Sequence, residues 1–125
     1  MKTKIESKSA PAAIGPYSQG TVAGSTAYIS GMLGIDPATG ELKEGVEAQA
    51  EQALLNLEAV LKEAELTTAS VVKTTVFLTD MGAFGKVNEI YSKHFSAPYP
   101  ARSCVQVSAL PKGGLFEIEA IAVRG

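Results

Sequence analysis

Near the C-terminal end of the chain, Arg102-Ser103-Cys104 and Glu117-Ile118-Glu119 bring together a permanent cation, a thiol and two carboxylates. An arginine fork can grip a planar carboxylate through two parallel N–H bonds, and a neighbouring carboxylate can accept a proton from water. That pairing suits an anionic substrate attacked by water. A plain cross-strand ion pair is the commoner meaning of such a pattern, since opposite charges on adjacent strands are frequent stabilisers. Other chemistries have fewer parts. With one histidine, His94, and one cysteine, Cys104, the chain lacks soft ligands for zinc and a second imidazole for an RNase-type pair. His94 ends a helical pattern, where the helix dipole alone accounts for it. Cys104 reads as a small buried hydrophobe more readily than as a nucleophile, with Arg102 the one group near enough to lower its pKa. Tyr17, in a Gly-Pro loop, reads equally as lid or aromatic anchor.

These residues need a scaffold, and the punctuation by Gly and Pro supplies its outline. Six strands are expected: Lys4 to Ser7, Gly20 to Ala23, Thr26 to Gly31, Val71 to Leu78, Arg102 to Val107 and Phe116 to Val123. Gly24-Ser25 is suited to a two-residue hairpin turn. From Val46 to Ala64, apolar residues at spacings of three and four mark an amphipathic helix. Phe84, Val87, Tyr91 and His94 or Phe95 mark a second, opened by Asp80 and closed by Pro98 and Pro100. The order ββ(β)αβαββ predicts an α+β domain over residues 1–125, a mixed six-stranded sheet with both helices on one face.

Alternation along the last strand sends Phe116, Ile118, Ala120 and Ala122 under the helices and Glu117, Glu119, Ile121 and Val123 to the other side. If Ser103, Val105 and Val107 join the core, Arg102, Cys104 and Gln106 share the second face with Glu117. Ile121 and Val123 make that face too apolar for water alone, which points to association with another subunit.

Composition narrows the function further. Hydrophobic residues make up 46% of the 125 and charged residues 19%, an ordinary globular mixture. A formal charge of −2 without a basic stripe makes nucleic acid a poor candidate partner. The charged start Met1-Lys2-Thr3-Lys4 and the absence of a long apolar run predict a cytoplasmic protein with no membrane segment. Gly15-x4-Gly20 and Gly40-x4-Gly45 lack the Lys-Ser/Thr of a P-loop, so nucleotide binding has no support.

The segments AAIGPYSQG, ISG at Ile29 to Gly31, VVKTTVFLTD, VNEIY, PARSCVQV and LPKGGLFEIEAIAV resemble the YjgF/RidA family over essentially the whole chain. The resemblance implies a chorismate-mutase-like fold and a homotrimer with a central barrel and three clefts between subunits. It also implies an enamine/imine deaminase that hydrolyses 2-imino acids, derived from 2-aminoacrylate or 2-aminocrotonate, to 2-oxo acids and ammonia without a cofactor. By that resemblance Arg102 grips the substrate carboxylate and Glu117 positions the attacking water. Tyr17, Ser30, Gly31, Asn88 and Cys104 line the cleft, Cys104 chiefly through its backbone. Tyr17 and Asn88 are expected to reach Arg102 and Glu117 of a neighbouring chain. Met32 stands where many members carry glutamine, a departure that bears on cleft polarity. The alternatives in the same family are a small-carboxylate-binding or chaperone-like stress protein and an endoribonuclease or translation inhibitor. True chorismate mutase activity would rest on fold analogy alone.

Overall fold

The computed structural model describes residues 1–125. Six strands, β1 (Lys2–Ile5), β2 (Gly20–Ala23), β3 (Thr26–Leu33), β4 (Val71–Leu78), β5 (Ala101–Gln106) and β6 (Phe116–Val123), form one sheet in the order β1-β2-β3-β6-β4-β5. Two helices, α1 (Gly45–Glu63) and α2 (Phe84–His94), lie together on one side of it. The expected elements are all present, with β1 beginning two residues earlier and β3 running two residues further than the sequence suggested.

Each strand forms for a legible reason. β6 alternates Phe116, Ile118, Ala120 and Ala122, all buried, with Glu117, Glu119, Ile121 and Val123 on the other face. β4 does the same, burying Thr74, Val76 and Leu78. The core lies between this face and the helices, and α1 fills most of it with Ala50, Ala53, Leu54, Leu57, Val60 and Leu61. Two buried amides tie α1 to the sheet, one at the end of β3 and its following loop and one at the start of β6. The Asn56 side chain donates to the carbonyls of Leu33 and Ile35, and the Gln49 side chain accepts from the Leu115 N–H just ahead of β6. Buried polar groups satisfied in this way fix register as well as proximity.

β4 pairs with β5 in parallel and with β6 antiparallel, so β4 lies between the two closing strands. The crossover from β4 to β5 runs through α2, as a parallel connection requires. A neighbouring β5–β6 pair, in which Arg102 would face Glu117 directly, does not form.

Candidate active site

The site begins with a defect in β3. Ile29 pairs with Ala120 and Met32 with Ile118, so Ser30 and Gly31 together oppose the single residue Glu119. This β-bulge bends the strand and re-aims what lies beside it. The Glu117 side chain folds over Gly31 so closely that a β-carbon there would sit 2.6 Å from Glu117 Oε2. Glycine is required because the carboxylate occupies the space a side chain would take. Glu117 has no ion pair or side-chain hydrogen bond within the chain. Partial burial, and then the charge of Glu119, push its pKa above the ordinary glutamate value. A carboxylate so placed is a better base than a solvated one.

Around Glu117 opens a cavity of about 820 Å³, walled by Pro11, Tyr17, Ser30, Gly31, Met32 and Lys112 among others. Its N-terminal wall is held by Gln19, which is 4% exposed. The Gln19 side-chain oxygen accepts from Ser7 N–H at 2.6 Å, and its nitrogen donates to the carbonyls of Ser7, Ala10 and Pro11 at 3.1, 3.4 and 2.7 Å. The backbone of the same residue accepts from Ser30 N–H, and Ser30 Oγ donates to the Ser18 carbonyl at 2.6 Å. Tyr17 stands exposed on this loop, its hydroxyl accepting from Ile14 N–H. Met32 is buried in the core and also reaches the cavity lining, so it packs the core and presents an apolar group to the cavity.

Arg102 belongs to a second cluster. It pairs with Thr74, and Thr74 with the buried Ala120, which places Arg102 on the helix side of the sheet. Its guanidinium carbon lies 4.7 Å from the centre of the Tyr91 ring and 5.5 Å from that of Phe84. Asn88, at helical spacing between those two aromatics, shares their stripe of α2. Cys104 points the same way as Arg102 and packs against the core. Burial raises its pKa, and the nearby Arg102 offsets this only in part, so the thiol stays protonated at neutral pH.

The face assignment of β5 therefore differs from the sequence expectation by one residue. Ser103 and Val105 lie on the open face, where Lys73 Nζ donates to Ser103 Oγ at 3.1 Å, while Arg102, Cys104 and Gln106 turn towards the helices. Apolar-inward logic selects the wrong parity because this edge strand stores its arginine on aromatic rings and leaves Val105 exposed. As a consequence, Arg102 and Glu117 of one chain lie on opposite faces of the sheet. Tyr17, Ser30 and Gly31 group with Glu117, whereas Asn88 and Cys104 group with Arg102. The expected grouping of Tyr17 with Asn88 against Arg102 with Glu117 does not match this geometry.

Sequence reasoning passed over Gln19, Thr74 and the pairing of Phe84 with Tyr91. Gln19 carries no pattern signal, since one polar residue between Ser18 and Gly20 looks like any loop residue. His94 also finds a structural place. Its ring nitrogens lie 2.9 Å from Glu51 and 2.9 Å from Glu58 on α1. No group of three or more His, Cys, Asp or Glu side chains is arranged to hold a metal ion, and no helix is long and apolar enough to cross a membrane.

The family described as Endoribonuclease L-PSP matches residues 7–124. The chain belongs to this family, the YjgF/RidA group. Among its relatives, a Bos taurus protein named 2-iminobutanoate/2-iminopropanoate deaminase is 52% identical over 122 residues, covering 97% of this chain and 89% of that one. The crystal structure of RidA from an Antarctic Psychrobacter has a TM-score of 0.95 and 50% identity, covering 97% of this chain and 98% of the other. The structure of Escherichia coli TdcF with bound serine has a TM-score of 0.93 and 44% identity over 98% and 99% of the two chains. The family's name speaks of RNA cleavage, yet in this member the sole imidazole is held by two glutamates on α1.

Proposed function

We propose that the protein is a 2-iminobutanoate/2-iminopropanoate deaminase whose catalytic clefts form between the subunits of a homotrimer. The observation that carries this reading is the Glu117 carboxylate, unpaired, half-buried and folded over Gly31 beside a cavity. It agrees with the name carried by relatives at about this similarity. The substrate already has an electrophilic C=N carbon, so orientation and an activated water suffice.

In the cleft, Arg102 of one subunit binds the substrate carboxylate while Asn88 and Cys104 line its side. Glu117, Tyr17, Ser30 and Gly31 of the adjacent subunit supply the other wall. Glu117 accepts a proton as the water oxygen bonds to the imine carbon, and the C=N electron pair moves to nitrogen, which takes up a proton. Collapse of the resulting carbinolamine breaks the C–N bond, releasing ammonia and leaving the 2-oxo acid. One water is consumed and no electrons are exchanged with a cofactor.

Two features support the trimer. The opposed placement of Arg102 and Glu117 leaves each charge without its partner inside the chain. The open sheet face also carries Tyr28, Val105 and Val123, which are 49%, 42% and 38% exposed. The test is to generate 2-imino acids in situ with an amino acid oxidase or a dehydratase and follow 2-oxo acid release, with sedimentation on the same preparation. Accelerated release by a trimer is the expected outcome. No acceleration with any amino acid would leave only a carboxylate-binding role, and a fully active monomer would overturn the shared cleft.

A further inference from the structure

A buried or half-buried guanidinium is ordinarily held by a carboxylate or by backbone carbonyls. Arg102 has neither, and what lies against it instead is two aromatic rings, both within the roughly 6 Å at which a cation is attracted to a ring face. The nearer ring is itself immobilised. The Tyr91 hydroxyl and Thr74 Oγ1 are 2.8 Å apart in a buried hydrogen bond, and the ring stacks on Phe95 at 4.5 Å. Thr74 is also the register partner of Arg102 across β4 and β5, so one tyrosine touches the arginine's neighbour and the arginine together.

We propose that Phe84 and Tyr91 form an aromatic cradle that positions Arg102 for its carboxylate ligand, with Thr74 setting the tyrosine. They are positioning residues: the guanidinium lies over the two rings, which attract its charge without accepting its N–H bonds and so leave those donors for the ligand. An acidic partner would give comparable order but would compete for those donors and cancel the charge. The cradle gives order without neutralisation, and it explains why an arginine can stand beside the core without an anion.

The role in substrate binding rests on the deaminase reading; the ordering of Arg102 does not, and the two can be measured apart. Phe84, which is only partly buried, is replaced site-specifically by phenylalanine carrying one, two and three ring fluorines, which drain the ring face of charge with little change in shape. Three readouts are followed: Arg102 Nε–H chemical shift and relaxation by NMR in the free protein, calorimetric affinity for 2-oxobutanoate, and KM against kcat. Loss of a ring contact corresponds to roughly 2–30-fold in affinity. Kd and KM are expected to climb with each fluorine towards the value for Phe84→Leu, with kcat within about twofold because the anchor acts in ground and transition states alike. Tyr91→Phe, which keeps the ring, should fall well short of Phe84→Leu. The thermal midpoint should stay level along the fluorine series, as a merely space-filling ring would also predict, so the decision lies in Kd and KM. Flat Kd and KM, or an Arg102 side chain equally mobile in wild type and Phe84→Leu, would overturn the proposal. If the wild type neither binds 2-oxobutanoate nor turns over imines, the deaminase reading fails, and the NMR comparison alone decides whether the rings order Arg102.

Discussion

Around Glu117 the positioning is done by backbone: a bulge at Ser30-Gly31, a glycine whose missing side chain makes room for the carboxylate, and a loop stapled through Gln19. Around Arg102 it is done by side chains, with Phe84 and Tyr91 on one helix and Thr74 on the adjoining strand. The carboxylate sits near a like charge, Glu119, and the cation sits on rings, so neither meets an opposite charge in its own chain. Groups of opposite sign held unpaired on opposite faces of one sheet make sense when a second copy brings the other half. The two halves should then be separable by mutation.

The largest expected effect tests that separation. Arg102→Ala and Glu117→Gln should each lose kcat/KM by about 10²-fold or more while remaining folded, the first through KM because it removes the anchor and the second through kcat because it removes the base. If each cleft takes its arginine and its glutamate from different chains, one cleft in every mixed trimer is intact. Refolding the two variants together in equal amounts should therefore restore roughly a quarter of wild-type activity. Arg102→Ala refolded with an impaired Asn88→Ala should restore nothing, because both lesions fall in the same half. Recovery in that second mixture but not in the first would invert the division drawn here.

Next in size is Gly31→Ala, which strikes only the Glu117 half. The added methyl meets the carboxylate, so Glu117 must swing away, and turnover should fall by about 10- to 100-fold with carboxylate affinity largely kept. An equal loss of affinity for 2-oxobutanoate would show that Gly31 serves the anchor as well.

The difference between the halves also decides what could be read from the chain. The strands, α1 and the parity of β6 were legible because they follow periodicity: Glu117 alternates with buried Phe116 and Ile118 in a strand flanked by partners. β5 was misread because an edge strand answers to two environments, and its valine side is as exposed as its arginine side is sheltered. No local pattern tells an arginine lying on rings from one in water. The bulge was barely legible: Ile29 and Met32 are apolar at opposite parities, but only the pairing with β6 shows that Ser30 and Gly31 share one partner residue. The family resemblance proposed roles for Arg102 and Glu117 but grouped Tyr17 with Asn88, whereas Tyr17 lines the Glu117 cavity and Asn88 shares the α2 stripe beside Arg102.

A finer test adjusts the Glu117 half without removing it. Glu117 is held above its ordinary pKa by burial and, second, by the Glu119 charge, and only its ionised form can take a proton from water. Activity should therefore fall as pH drops through that raised value. Glu119→Gln removes the like charge, so the acid limb of kcat/KM should move to lower pH, leaving the variant roughly twofold more active than wild type on that limb and equal to it on the plateau. An unmoved limb would assign the titration to another group.

The smallest effect belongs to the Arg102 half and concerns stability. His94 closes α2 and lies between Glu51 and Glu58 of α1, fixing the last turn of the helix that carries Tyr91. Burial by itself would lower the His94 pKa, but the hydrogen bonds and charges of the two glutamates outweigh it, and the net shift is upward from 6.5. A folded-state pKa above the unfolded one means that the folded protein binds the proton more tightly. The stabilisation is then complete below about pH 6.5 and fades as pH rises through the higher folded value. Wild type should lose about 1 kcal/mol of stability by pH 9 from this group, a modest figure because the two glutamates remain partly in water. His94→Gln keeps a donor but no charge, so it should be the less stable protein at pH 6, with the gap narrowing towards pH 9. Thermal midpoints of both proteins, taken at one protein concentration across that range, check the sign. A gap that widens with pH would mean that the imidazole is neutral in the folded state and that α2 is held in place by packing alone.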